Sequence, residues 1–253
     1  LPSLTFVATA NAIKYCNAIP NFLDIEQTTN GICPDKLREY LKRIAIKKNN
    51  YFINKYTGRK IRALIAVHLF GIPCQIEKLK IICKKYKIKI IEDAAEAMGT
   101  YLNKKHLGNF SEAGVISFNG NKTITCGGGA VVITPNKKLA NKIKHLSTTA
   151  KTPHPWEYVH DEIGYNYRMT NLNAAVGCAQ LEKINKILKA KRKNFQDYFK
   201  YFREIKGVEI IKEQKNVKSN YWLITLNLKK NFKIKNSFFR KLNKSGFNAR
   251  AIW

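Results

Sequence analysis

The chain has 253 residues, 45% hydrophobic and 11% aromatic, enough for one large globular domain and part of another. It carries 46 Lys+Arg against 17 Asp+Glu, a net charge of +29. No apolar run reaches membrane-spanning length, and no signal-peptide pattern opens the chain. The six cysteines (Cys16, Cys33, Cys74, Cys83, Cys126, Cys178) are scattered without a C-x-x-C pair. They read as buried thiols of a reducing, cytoplasmic compartment and not as a disulfide frame or zinc site. The five histidines have no ligand spacing, so no metal is expected.

The charge raises the question of nucleic acid. The basic residues are mostly lysine, spread along the chain on polar faces such as Glu77-Lys78-Leu79-Lys80 and Lys84-Lys85. Arginine, which reads bases and phosphates bidentately, is scarce. The pattern reads as solvated faces in a Lys-, Asn- and Ile-rich chain, with a positive field that attracts an anionic substrate. Neither nucleic acid nor membrane is expected as a partner.

In chain order, residues 21–25 form a short apolar strand candidate. Pro34-Asp35 starts a helix to about residue 47, with Leu37, Leu41 and Ile44 on one face. Residues 49–60 read as a loop, and the nearly continuous apolar run 61–69 as a strand buried on both faces. Gly71-Ile72-Pro73 breaks it. Ile76, Leu79, Ile82, Cys83 and Tyr86 give helical spacing, and strand 88–91 delivers Glu92-Asp93 at its carboxyl end. Strand–helix–strand order predicts a right-handed crossover, a parallel sheet, and a ligand at those carboxyl ends. Strands 114–118 and 130–134 follow, then a helix from Pro135-Asn136 to about residue 146. Residues 147–168 are polar and aromatic without periodicity, a length that suits a functional loop. One long helix is predicted from 170 to about 202, then strands 208–211 and 221–226, and a helix over 238–243 stopped by Gly246. The expected organisation is a large α/β domain over 1–178, a connecting helix over 179–204 and a partial α+β domain over 205–253.

The chemistry concentrates around Lys122, which follows Ser117-Phe118-Asn119-Gly120-Asn121 and precedes Gly127-Gly128-Gly129. It lies 29 positions after Asp93 of Glu92-Asp93-Ala94-Ala95-Glu96. A lysine amine to form a Schiff base and an aspartate to keep a pyridine nitrogen protonated are what pyridoxal 5'-phosphate needs. The glycine run reads as a tight turn into the next strand, with room beside a cofactor. Each residue also has an ordinary reading: Lys122 at the surface, Asp93 as a cap, Phe6 as core, His154, Trp156, Tyr158 and His160 as an aromatic loop patch, Arg168 as an interface ion pair.

Five segments together resemble the sugar-nucleotide aminotransferases of the DegT/DnrJ/StrS type: residues 2–11, Val67-His68-Leu69-Phe70-Gly71, residues 92–97, residues 117–129, and Gly164-Tyr165-Asn166-Tyr167-Arg168-Met169. The likeness covers essentially all 253 residues. It implies the α/β fold-type-I pyridoxal-phosphate transferase architecture, a mainly parallel sheet with helices on both faces followed by a partial small domain. Residues 148–162 resemble a narrower branch acting on UDP-linked 4-keto-6-deoxy-N-acetylhexosamines, on routes to legionaminic acid or bacillosamine-type sugars. The resemblance implies Lys122 as Schiff-base lysine and proton shuttle, Asp93 at the pyridine nitrogen, Phe6 stacked on the ring, Ser117 at the phosphate and Glu96 beside the cofactor. It implies Asn166 reaching the phosphate of a neighbouring subunit in a homodimer with shared sites. His154, Trp156, Tyr158, His160 and Arg168 would meet the nucleotide sugar, with glutamate as amino donor. The resemblance also implies a Gly-Thr turn upstream of residue 2 that is not in this sequence, and both ends read as cut. A dehydratase of the same family is the enzymatic alternative, but such relatives have histidine where Lys122 stands. A basic binding module or inactive fragment is the non-enzymatic one.

Overall fold

Between residues 34 and 133, apolar runs alternate with amphipathic stretches, and this alternation becomes a sheet with packed helices in the computed structural model. The structure describes residues 1–229 and 236–253. The first helix, α1 (Val7–Tyr15), buries only Thr9. It has no apolar stripe, so periodicity did not predict it. The expected strand at 21–25 is only two isolated bridges, Pro2↔Leu23 and Ile25↔Ile32. Helix α2 (Pro34–Ile44) starts with proline at its first position, where no N–H is needed. It buries Leu37, Leu41 and Ile44 as the spacing predicts.

Instead of continuing to residue 47, the chain turns at Ala45 into β1 (Ala45–Lys48), which pairs antiparallel with β2 (Tyr51–Asn54). The predicted loop 49–60 therefore contains a strand. Asn49 takes φ 50° at the turn, a conformation asparagine tolerates better than most residues.

The sheet proper begins with β3 (Ala63–Val67). A one-turn 3-10 segment, Leu69–Gly71, leads to α3 (Ile76–Lys85), which buries Ile76, Leu79, Ile82 and Cys83. Each fully buried large aliphatic there stabilises by about 1.5–3 kcal/mol, so this face holds α3 on the sheet. Strand β4 (Lys89–Asp93) follows, then the small hairpin of β5 (Tyr101–Leu102) and β6 (Lys105–His106). Strands β7 (Ala113–Ser117) and β8 (Ala130–Ile133) complete the order β3-β4-β7-β8. The first three strands are parallel and β8 runs antiparallel to β7. Asp93 and Ser117 thus end neighbouring strands at one edge of the sheet.

Asn136 caps α4 (Lys137–Ser147) by accepting the Leu139 N–H at 3.0 Å. The predicted long helix is two, α5 (Asn171–Glu182) and α6 (Ile184–Phe202), separated at Lys183 with φ −95° and ψ 1°. Their apolar residues do not share one face: Leu172 and Val176 of α5 are exposed, whereas Leu188 and Phe195 of α6 are buried. Strand β9 (Val208–Ile210) is followed by β10 (Val217–Lys218), which pairs with β5. Strand β11 (Leu226–Leu228) pairs with β9. The expected strand over 221–226 starts late because Asn220, Tyr221 and Trp222 turn inward and are buried. Helix α7 (Asn236–Lys244) ends before Gly246, at φ 85°.

All six cysteines are free, but the expectation that they are buried needs correction: Cys16 and Cys178 are exposed and Cys33 is half-buried. Among the described residues, no helix is long and apolar enough to cross a membrane.

Candidate active site

Adjacent residues of a strand face opposite sides of the sheet, so Glu92 and Asp93 meet different surroundings. Glu92 is fully buried. It accepts from Gly108 N at 2.8 Å, Phe110 N at 2.7 Å and the Ser111 hydroxyl at 2.8 Å, and its Oε2 lies 3.0 Å from His68 Nε2. The Cys74 N–H donates to His68 Nδ1 at 3.2 Å, which requires a lone pair there and places the ring proton on Nε2, facing Glu92. This carboxylate is tied to the scaffold. Asp93, half-buried, accepts from the Thr9 hydroxyl at 2.6 Å and the Ala95 N–H at 3.2 Å. No cationic side chain is paired with Asp93 among the described residues.

Glu96 lies in the turn just beyond β4. Its Oε2 accepts the Phe70 N–H at 2.7 Å, and its Oε1 lies 3.6 Å from Lys122 Nζ. Burial pushes this carboxyl up to about 7, helped by the negative charge of Asp93 and opposed by Phe70 N–H and Lys122. Phe70 makes that contact from φ 55°, a strained conformation for an aromatic residue that the surrounding packing must enforce.

The Lys122 side chain is 13% exposed. Its Nζ lies 4.2 Å from the centre of the Trp222 ring. The loop that carries it is bonded on both sides, by Trp222 Nε1 to Asn121 O at 2.7 Å and by Asn220 Nδ2 near Thr123 Oγ1 at 3.1 Å. Asn220 Nδ2 also reaches Glu96 O at 2.8 Å and Met98 O at 2.9 Å. Gly71 permits this: a Cβ there would lie 1.8 Å from Asn220 Oδ1. Ser117, at the end of β7, accepts the Asn119 N–H at 3.2 Å.

The structure therefore brings Lys122, Asp93, Glu96 and Ser117 to one edge. Phe6 reaches the same neighbourhood because it precedes α1 by one residue and Thr9 of that helix bonds Asp93. Its ring is 53% exposed and meets Trp253 edge-on at 5.7 Å, while Trp253 also meets Phe70 at 5.3 Å.

The other expected residues lie apart. Asn166 is exposed and forms an isolated bridge with Thr148. His154 packs edge-on against Trp156 at 5.1 Å, Tyr158 lies under Lys151 Nζ at 3.6 Å, and His160 Nδ1 is 2.7 Å from Thr149 O. Arg168 is exposed. No hydrogen bond, ion pair or ring contact among the described residues joins these six to Lys122, Asp93 or Glu96.

Sequence reasoning assigned no role to Thr9, Phe70, Asn220 or Trp222. The first two stood inside motifs it quoted. For the last two the one signal was a Ser-Asn pair leading into two aromatics, where strand alternation was expected. It also found no ligand spacing among the histidines, yet His145, Asp161 and Glu162 come within 4.8 Å of one another at the surface. There His145 Nε2 lies 2.6 Å from Asp161 Oδ1 and Lys142 pairs with Glu162, so these groups already have partners within the protein.

The whole chain, residues 1–253, matches the DegT/DnrJ/EryC1/StrS aminotransferase family. It belongs to that family. The chain is 35% identical over 251 residues to EpsN of Bacillus subtilis (strain 168), whose name describes a pyridoxal phosphate-dependent aminotransferase; the match covers 99% of this chain and 62% of EpsN. It is 36% identical over 226 residues to GDP-perosamine synthase of Escherichia coli O157:H7, covering 89% of this chain and 57% of that protein. The chain thus spans about three fifths of these relatives' length. Among solved structures, the Helicobacter pylori aminotransferase PseC, involved in pseudoaminic acid biosynthesis, superposes with a TM-score of 0.82 at 23% identity over 99% of this chain and 63% of that one. At that identity the likeness carries the fold: α/β, a mixed sheet with helices on both sides. Pyridoxal 5'-phosphate is the cofactor of this family.

Proposed function

We propose that this chain is the cofactor-holding part of a nucleotide-sugar aminotransferase, with Lys122 as its reactive amine. The observation that carries the reading is Lys122 itself, largely buried beyond the carboxyl ends of the strands and ion-paired at 3.6 Å with Glu96, a carboxyl that the charge of Asp93 also reaches. This donor set fits the cofactor: a largely buried amine at Lys122, a carboxylate at Asp93 with no cationic side chain paired to it among the described residues, a hydroxyl at Ser117, and an exposed flat ring at Phe6. In this reading Asp93 holds the protonated pyridine nitrogen, Ser117 meets the phosphate, Phe6 covers the ring face and Glu96 borders it. Asn166 reaches the phosphate from a second copy of the chain.

When bound, pyridoxal phosphate supplies an electron sink that makes the α-proton of an amino acid removable. Lys122 Nζ takes that proton as general base and returns it as general acid. Asp93 would stand beside the ring nitrogen, and Glu96, ion-paired with Nζ, would keep the lysine within reach. The amino group goes from glutamate to the C4 keto group of a nucleotide-linked 4-keto-6-deoxy amino sugar, which His154, Trp156, Tyr158, His160 and Arg168 help to bind. The UDP-linked N-acetylhexosamine form is the preferred substrate, supported by the resemblance of residues 148–162. Residues 1–178 would form the cofactor domain, 179–204 its connector and 205–253 the start of a small domain, in a cytoplasmic homodimer.

The test supplies the natural protein with cofactor, glutamate and either a UDP-linked 4-keto-6-deoxy-N-acetylhexosamine or a GDP-linked 4-keto-6-deoxy sugar. Parallel double-reciprocal lines and an amino group in place of the keto oxygen are expected, with the UDP sugar preferred. Loss of water without amino transfer would replace this reading with a dehydratase.

A further inference from the structure

An amine that shuttles protons must spend part of its time as ammonium and stay within reach while it does. The structure holds Lys122 by a group outside the aminotransferase motifs. Trp222, 4% exposed, presents its ring face 4.2 Å from Lys122 Nζ. An ammonium within about 6 Å of an indole centroid is attracted by the ring's negative face, most strongly where water is excluded. Glu96 Oε1 stands at 3.6 Å as a second partner. The same indole donates from Nε1 to Asn121 O at 2.7 Å, so one side chain contacts both the lysine and the backbone beside it.

Trp222 is itself fixed. Its N–H donates to Asn220 Oδ1 at 2.9 Å, and its carbonyl accepts Lys191 Nζ at 3.2 Å from α6. Arg192, next on α6, donates to Ser219 O at 2.9 Å and pairs bidentately with Glu213 at 2.7 and 2.8 Å. Glu213 also accepts the Ser219 N–H at 2.7 Å. The segment 219–222 is therefore clamped to α6 on one side and to the lysine loop and the Glu96 turn on the other.

We propose that Trp222 is a positioning residue for Lys122: its indole face seats the lysine ammonium, and the Asn220–Trp222 segment fixes the loop carrying it. This rests on Lys122 being the reactive amine. Asn220 and Trp222 lie some hundred residues downstream of the lysine, so α6 and the region after it help to set its geometry.

The test is competitive labelling of cofactor-free protein with trace acetic anhydride at mildly alkaline pH, read by peptide mass spectrometry. Only unprotonated amines react, so losing the seat should speed labelling of Lys122. Trp222→Leu is expected to label Lys122 about three- to tenfold faster with other lysines unchanged, and Trp222→Phe within about twofold of wild type. Unchanged labelling in a folded Trp222→Leu overturns the proposal. Equal acceleration in Trp222→Phe and Trp222→Leu also overturns it, because that result would assign the effect to the lost bond with Asn121 O. Trp222→Met replaces Trp222→Leu if the latter does not fold. In the natural protein, Trp222→Leu should lower kcat and leave the KM for the nucleotide sugar near wild type. Borohydride reduction of the wild type with pyridoxal phosphate separates the two ideas. A label on Lys122 beside unchanged acetylation rejects the role of Trp222 alone, and no label on Lys122 rejects the reading beneath it.

Discussion

The sheet edge around Lys122 and the loop over 147–168 were both read as functional, and the structure treats them in opposite ways. At the edge, polar groups are buried and paired several times over: Glu92 has four partners and Asn220 joins three segments. In the loop, Trp156, Tyr158 and Tyr167 are exposed and their contacts are mostly with near neighbours in sequence. A buried polar group left unpaired costs much more than an exposed one, so the edge is specified by the fold. The loop needs something further, a substrate or a second subunit, to give its aromatics a role.

The largest expected effect lies at the edge. Lys122→Ala in the natural protein should lower turnover by about ten-thousandfold or more, since it removes both the covalent anchor and the proton shuttle. Steady-state rates check this, and a fall of less than tenfold would break the contrast between the two regions.

Next is Asn220→Ala. It leaves Glu96 O, Met98 O and the Trp222 N–H without their partner in the interior. A loss of about 2–4 kcal/mol in denaturant unfolding is expected. A loss under about 0.5 kcal/mol would mean that segment 219–222 does not hold the edge together.

Glu96→Gln has a pH signature. The folded carboxyl is raised to about 7 against an ordinary 4.5, so the native state holds the proton more tightly than the unfolded one. Ionised Glu96 thus costs stability, fully above pH 7 and not at all below pH 4.5. Cofactor-free Glu96→Gln should be more stable than wild type by up to about 3 kcal/mol above that window, with the gap closing below it. Melting curves across pH check this, and a gap that widens in acid would contradict it.

The smallest effect belongs to the loop. Trp156→Ala and Tyr158→Ala should change stability by less than about 0.5 kcal/mol while raising the KM for the nucleotide sugar. A large loss of stability would show that the loop is part of the scaffold after all.

The same contrast explains what the sequence revealed. Strand β3 was legible because its run is nearly continuous apolar, and β4 and β7 because short apolar runs end at polar residues, Glu92-Asp93 and Ser117. The strand-end position of Glu92-Asp93 was legible, and β4's alternation separates the two, Glu92 into the buried network with His68 and Asp93 toward Thr9. Helix α1 was not legible, because its one buried residue, Thr9, is polar and bonds to Asp93 across 84 positions. The break at Lys183 was hidden because apolar spacing does not reveal that consecutive turns face different neighbours. Trp222 was hidden for a related reason, since its partners at 121 and 122 are set by the fold and leave no local pattern.

The account's central claim is that Lys122 carries the cofactor. The direct measurement is the absorption spectrum of the natural protein with pyridoxal phosphate, beside Lys122→Ala, followed by borohydride reduction and peptide mapping. The account predicts a yellow protein whose reduced cofactor maps to Lys122, and no such label in the variant. A colourless protein with no label at Lys122, or a label mapping to another lysine, would contradict it.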